Sequence, residues 1–413
     1  MKTKRTYWKH MFYLAMAMAG LVVGSGCAQE IAFKQAKGFH WMGTWASSTQ
    51  EVESKLMPSE FQKLGDTTLR QVVRVSVGGE KLRVHFSNAF ADWRDNLEID
   101  DAYIAVSAGG NAIEPETVRP LTFSGNSSTS VPYGTLIVSD AVKFDLKPGS
   151  DLVVTIHIAK ATKKITGHRS ARGKVAFIQS GNAVTENVLP ASVPSKCWYY
   201  ICGMDVLATE SSAAVVCLGD SITDGKGSTE GENRRWPDYL ARRLQSNPET
   251  ANVGVLNQGI GGNCLWSGGI GQPVIQRLER DVLAQTAARW VIVLEGINDL
   301  GGGRTSAEDI ITSMDQVISR SKACGMMVYG STILPCGESF YFNAELEAKR
   351  QKINNWIRNN GAFDAVIDWD AVVRDPQNPS RLRQEADSGD HLHLSDEGYQ
   401  MMAEALDLKW FLK

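Results

Sequence analysis

After Glu210 the chain alternates short apolar runs with longer stretches of helical period, and this alternation is its strongest structural constraint. The apolar runs are Ala213–Leu218, Val253–Leu256, Trp290–Leu294, Met326–Ile333 and Ala365–Ile367. Between and after them the pattern predicts helices at Trp236–Gln245, Val274–Leu283, Ala307–Ala323 and Ala344–Asn359, and a last helix from Ser395. In the third of these, Ile310, Ile311, Met314, Val317 and Ile318 recur at helical spacing, and Gly325 follows as a stop signal. Short apolar strands, each followed by a helix, predict a five-stranded parallel sheet covered on both faces. Ligands of such sheets bind beyond the carboxyl ends of the strands.

Before residue 209 the texture is β throughout. Leu69 to Val77, the pair Gly78-Gly79, and Lys81 to Ser87 alternate apolar and polar residues and predict a hairpin with a primed two-glycine turn. Tyr103–Val106, Thr135–Val138, Asp151–Ile158, Val175–Ile178 and Trp198–Leu207 follow as short strands between turn clusters. With no helical period and no internal repeat, residues 28–209 are expected to form an all-β sandwich or jelly roll. Residues 210–413 form the α/β domain, and a chain of 413 residues is long enough for both.

The first residues read as an export signal rather than as fold. Lys2, Lys4, Arg5 and Lys9 precede a short apolar stretch, Met11 to Val23, too short for a comfortable membrane span. Its end, Gly24-Ser25-Gly26-Cys27, resembles a bacterial lipoprotein cleavage site with Gly24 where leucine is usual. Residues 1–27 are thus expected to be a signal peptide and Cys27 a candidate lipid anchor, with simple secretion the alternative. Both place the mature protein outside the cytoplasm. Of the remaining cysteines, Cys197 and Cys202 are close enough in sequence to pair, unless 198–201 is one continuous strand, which would point them to opposite faces. Cys217, Cys264, Cys324 and Cys336 sit among apolar neighbours, and no His/Cys spacing suggests zinc, so no metal is expected. A net charge of −3 gives no reason to expect a nucleic-acid partner.

Four clusters fall at strand ends of the α/β domain: Gly219-Asp220-Ser221, the glycine-rich 257–263, Glu295 to Asp299, and Asp390 to His393. The first, alone, reads as an ordinary helix-capping turn before it reads as a nucleophile, since a serine nucleophile requires a base. The glycine cluster is not a dinucleotide fingerprint, because it lacks that spacing and follows the second strand. Asn298 is either a turn residue or an amide donor for an oxyanion. Of seven histidines only His391 and His393 belong to the α/β domain, so a base for Ser221 is one of these two, with Asp390 available to orient it.

Together these clusters resemble the four sequence blocks of the SGNH (GDSL-type) hydrolases, a family of serine esterases and lipases with a flavodoxin-like three-layer αβα fold. The resemblance covers about 200 residues, and its first block carries isoleucine, Ile222, after the serine. It implies Ser221 as nucleophile, His393 as base and Asp390 as its partner. Ser221, Gly262 and Asn298 would supply the oxyanion hole, without a cofactor. Trp41 to Ala46, Leu69 to Arg74 and Arg234 to Asp238 are similar to a two-domain bacterial subgroup mostly linked to polysaccharide deacetylation. The resemblance therefore implies a small-acyl, foremost O-acetyl, substrate on a carbohydrate. Trp266 and Tyr341 are candidates to stack on a sugar face. A lipase-type acylhydrolase and a catalytically inactive carbohydrate-binding protein are the alternatives.

Overall fold

The first three of the five short strands after residue 212 are buried along most of their length, largely by Val, Ile, Leu and Ala, and all five form one parallel sheet. The computed structural model describes residues 38–172 and 176–412. The signal segment, Cys27 and the first ten residues of the expected β-domain lie outside the described residues. In sequence order the strands are Ala213–Gly219, Val253–Gly259, Ala288–Leu294, Met327–Ser331 and Ala365–Ile367. They lie in the sheet as second, first, third, fourth, fifth. That is the flavodoxin-like order, with its switch point at the first strand. Helices Trp236–Gln245, Ala307–Ala323 and Ala344–Asn359 occupy the predicted places. The segment Val274–Leu283 is an α-turn that continues as one π-helical turn.

The preceding region is all-β and antiparallel, in sheets of eight, five and three strands. The expected hairpin across Gly78-Gly79 is not formed. Thr67–Arg74 pairs with Asp151–Lys160 and Ala176–Ser180 in the eight-stranded sheet. Gly79–Ser87 pairs with Ile201–Thr209 and Val142–Leu146 in another sheet. Neither glycine has positive φ, as a primed turn would need. A Cβ on Gly78 would lie 2.2 Å from the Leu146 carbonyl, and one on Gly79 would lie 2.4 Å from the Val206 side chain. The glycines are there for close packing as the chain crosses between sheets. The alternation misled because Arg70 and Gln71, polar residues, are fully buried. The Arg70 guanidinium donates to Thr155 Oγ1 and to the carbonyls of Asn111 and Glu186, and burial pushes its pKa down to about 10. Tyr200, at φ 61°, interrupts the expected strand between Trp198–Tyr199 and Ile201–Thr209, and Cys197 and Cys202 are free thiols.

The all-β and α/β regions form one compact unit from Gly38 onward. Phe39–Ala46 packs along the outer edge of the parallel sheet, beside Val253–Gly259. The edge is tied by Val255 N–H donating to Ser76 Oγ at 3.0 Å and Ser48 Oγ donating to Gln258 Oε1 at 2.6 Å. A sheet edge covered in this way offers no free backbone to another chain.

Candidate active site

The first parallel strand is buried throughout and ends at Gly219. Asp220 then caps a one-turn helix, Ser221–Asp224, by accepting the Ile222 N–H at 2.8 Å. Ser221 Oγ lies 2.8 Å from His393 Nε2, and His393 Nδ1 lies 2.7 Å from Asp390 Oδ2. The other Asp390 oxygen accepts the backbone N–H groups of His393 and Leu392 at 2.8 and 3.1 Å, which holds the carboxylate under the ring. His391, the alternative base, turns away: it has φ 61° and its Nδ1 lies 2.6 Å from Asp387 Oδ2. Geometry therefore separates the two histidines that composition left open.

Asn298 opens a short helix directly after the third strand. Its Nδ2 donates to the Asn263 carbonyl at 2.8 Å, and its Oδ1 accepts the Tyr341 hydroxyl at 3.0 Å. One Nδ2 hydrogen remains. Among the described residues, the backbone N–H groups of Ser221, Gly261 and Gly262 have no acceptor. These three residues and Asn298 line one open cavity of about 730 Å³ with His393. Orphaned donors converging on a cavity are the arrangement that stabilises a developing oxyanion.

Burial pushes the His393 imidazole below its ordinary 6.5, and nearby Lys226 and Arg172 add to this while Asp390 opposes it. Burial also pushes the Asp390 carboxyl up, but its hydrogen bonds from His393 outweigh this and hold it below the usual range. Beneath the site lies a buried acid cluster. Burial raises Asp220 to about 7, helped by neighbouring Asp299, and lifts Glu295 well above its ordinary value. The fully buried Arg277 runs through this cluster. It donates to the carbonyls of Gly219 and Gln258, to Asn263 Oδ1, and to Asp281 Oδ2, with Ser48 Oγ at 3.0 Å. One guanidinium thus ties the nucleophile turn, the glycine-rich turn and the all-β region together.

The all-β region reaches the cavity directly, which sequence reasoning missed. Asp224, on the nucleophile helix, receives His168 Nε2 and Arg172 Nε, each at 2.9 Å. His168 lies in the all-β region, and no local signal ties it to a residue 56 positions later. Tyr341 lines the cavity, with its ring 4.3 Å from that of Phe340, while Trp266 does not line it.

Residues 217–401 match the family model of the GDSL-like Lipase/Acylhydrolase family. This part of the chain is similar to that family, over somewhat less than half of the whole. Three solved structures resemble the GDSL domain over its own length. One is a member of the lipolytic protein G-D-S-L family from Veillonella parvula, 20% identical, covering 47% of this chain and 96% of its own, with a TM-score of 0.38. A carbohydrate acetylesterase family member from Sinorhizobium meliloti is 16% identical, covering 48% and 99%, with a TM-score of 0.39. A mutant of an acetyl-xylooligosaccharide esterase from Geobacillus Stearmophilus is 20% identical, covering 49% and 96%, with a TM-score of 0.39. None of the curated proteins matches the chain. Likenesses of this size carry no argument about substrate.

Proposed function

We propose that the protein is an extracytoplasmic serine esterase that removes small acyl groups, foremost O-acetyl, from polysaccharides or oligosaccharides. The observation that carries this reading is the 2.8 Å approach of Ser221 Oγ to His393 Nε2, backed by Asp390 at 2.7 Å. His393, kept neutral by burial, takes the Ser221 proton as the hydroxyl attacks the ester carbonyl. Negative charge develops on the carbonyl oxygen, where the Ser221 and Gly262 N–H groups and the remaining Asn298 hydrogen receive it. His393 returns the proton to the sugar oxygen as the C–O bond breaks. Water, deprotonated by the same ring, then hydrolyses the acyl-serine and releases the carboxylic acid. Asp390 orients the imidazole and stabilises its protonated form. Every step is carried by side chains, backbone N–H groups and water.

In this reading residues 1–27 are the export signal, 28–209 an all-β domain that completes the pocket, and 210–413 the hydrolase domain. Cys27 as a lipid anchor is tested by whether Cys27→Ala releases the protein from the membrane fraction. The catalytic assignment is tested with p-nitrophenyl acetate: Ser221→Ala loses turnover and loses labelling by a fluorophosphonate probe. Undiminished turnover in that variant would sink the nucleophile assignment, whereas a wild type that neither turns over the ester nor takes the probe would leave a carbohydrate-binding protein as the better reading. A lipase-type reading draws on the apolar part of the cavity, Leu56, Met57, Ile270, Leu392 and the 76% exposed Phe340. Faster hydrolysis of octanoyl than of acetyl esters would select it.

A further inference from the structure

We propose that the Ser221 cavity takes acyl esters of acidic saccharides, with a sugar carboxylate held by Arg172 and Lys226. This rests on the esterase reading and adds to it the class of sugar. Arg172 comes from the all-β region. Its Nε donates to Asp224 Oδ2 at 2.9 Å, and Asp224 is held in turn by His168, whose Nδ1 lies 2.9 Å from the Ser48 carbonyl. Asp224 and His168 are both nearly fully buried, so the guanidinium stands on a rigid mount.

The mount uses only Nε. Among the described residues the two terminal nitrogens of Arg172 have no acceptor, and its side chain is 18% exposed. The arginines that serve packing differ: Arg70, Arg277 and Arg350 are fully buried, and their terminal nitrogens sit on carbonyls and carboxylates. One terminal nitrogen of Arg172 lies 3.8 Å from the place a Gly261 Cβ would take, and that place is 4.0 Å from Ser221 Cβ. The free edge of the guanidinium is therefore beside the nucleophile.

Lys226 lines the same cavity, with Nζ 4.0 Å from Asp390 Oδ2. Around the whole cavity, five cationic side chains (Lys55, Arg169, Arg172, Lys196 and Lys226) face two carboxylates, Asp224 and Glu230. Glu53 pairs with Arg169 and Lys55, and Glu230 with Lys196, so the rim is largely neutralised. Arg172 and Lys226 are paired too, with Asp224 and Asp390, but the two terminal nitrogens of Arg172 and the half-exposed ammonium of Lys226 keep donors open next to the Ser221–His393 pair. A planar carboxylate matches the fork of a guanidinium, whereas a neutral sugar or an alkyl chain leaves both cations unused. Phe340 and Tyr341 supply an aromatic face for the sugar ring.

The test uses the full-length protein and measures acetate release from acetylated trigalacturonate and acetylated xylotriose, with p-nitrophenyl acetate as reference. We expect kcat/KM to favour the acidic sugar by about tenfold, the size of one charge-assisted contact. The ratio falls toward one in Arg172→Gln, in the exposed-site variant Lys226→Met, and at raised salt. Unacetylated trigalacturonate inhibits p-nitrophenyl acetate turnover competitively. Equal turnover of the two sugars, or a ratio unchanged in both variants, overturns the proposal while p-nitrophenyl acetate turnover leaves the esterase reading standing. Equal inhibition by a sulfated trisaccharide overturns the carboxylate assignment. If the wild type hydrolyses no ester, the esterase reading fails and this inference with it.

Discussion

The Tyr341 hydroxyl donates to Asn298 Oδ1 at 3.0 Å, and this bond determines which way the Asn298 amide faces. With Oδ1 occupied and one Nδ2 hydrogen given to Asn263, the last hydrogen is left for a substrate oxyanion. Tyr341→Phe keeps the ring and removes the hydroxyl. Turnover number is expected to fall about five- to tenfold, the cost of one hydrogen bond, with KM little changed. Asn298→Ala, which removes the donor itself, is expected to lower kcat by about 10²–10³. Steady-state kinetics on p-nitrophenyl acetate separates the cases: a higher KM at unchanged kcat in Tyr341→Phe would make the tyrosine a substrate wall.

The pH dependence follows from His393. The base must be neutral, so activity is lost as pH falls through the pKa of its imidazole. Burial lowers that pKa beneath the ordinary 6.5, and the acidic limb of kcat/KM is expected below that value. Lys226 disfavours the imidazolium by charge repulsion, so Lys226→Met should move the limb to higher pH. Asp390 favours the imidazolium, so Asp390→Asn should move it lower while also reducing kcat. Limbs that stay in place in both variants would assign the titration to another group, for which Asp220, raised to about 7, is the candidate.

Arg277 is expected to matter more for stability than for any single catalytic step. It is fully buried, 3.1 Å from Asp281 Oδ2 and 3.5 Å from Glu295 Oε1, and burial pushes the Glu295 carboxyl well above its ordinary value while Arg277 opposes this. Arg277→Met removes the buried cation from beside Asp281 and Glu295, leaving Asp281 to Arg280 alone and Asn263 Oδ1 without its donor, at a cost of about 3–5 kcal/mol. Glu295→Gln keeps the shape of the side chain, and with burial disfavouring the charge it should cost less than about 1 kcal/mol. Denaturant unfolding of the two variants checks the contrast. A large loss in Glu295→Gln would mean that the acid is ionised and paired with Arg277.

The parallel sheet and its four site clusters were legible because their signals are local. The strands read as short apolar runs, as strands buried on both faces must, the first three clusters follow their strands closely, and the fourth lies just before the last helix. His393 over His391 was legible only through family resemblance, since both flank Leu392 and both lie near aspartates. The all-β region was read less well. Gly78-Gly79 carries the same signal whether it turns a hairpin or lets the chain pass close to Leu146 and Val206, and only tertiary packing distinguishes these. His168 and Arg172 were invisible as site residues because their partner, Asp224, belongs to another region of the chain. Contacts of that kind leave no periodicity to read.

The sharpest steric prediction concerns the turn that presents the nucleophile. A Cβ on Gly219 would lie 2.0 Å from Thr223 Oγ1 and 2.8 Å from the Leu294 carbonyl. Thr223 is fully buried and its hydroxyl accepts from Trp236 Nε1 at 3.3 Å, so it has no space to yield. The Leu294 carbonyl belongs to the neighbouring strand and is held by the sheet. Gly219→Ala must therefore push the turn itself, shifting Ser221 relative to His393. Overpacking of this kind costs about 1–3 kcal/mol in stability. The kinetic loss should be larger, about 10²-fold, because an ångström of misplacement disrupts attack geometry. Gly65→Ala, whose added Cβ would meet nothing closer than 3.9 Å, is the control and should change neither quantity. Thermal melts and p-nitrophenyl acetate kinetics on the pair decide it: full activity in Gly219→Ala would show that the nucleophile turn tolerates a side chain where the packing allows none.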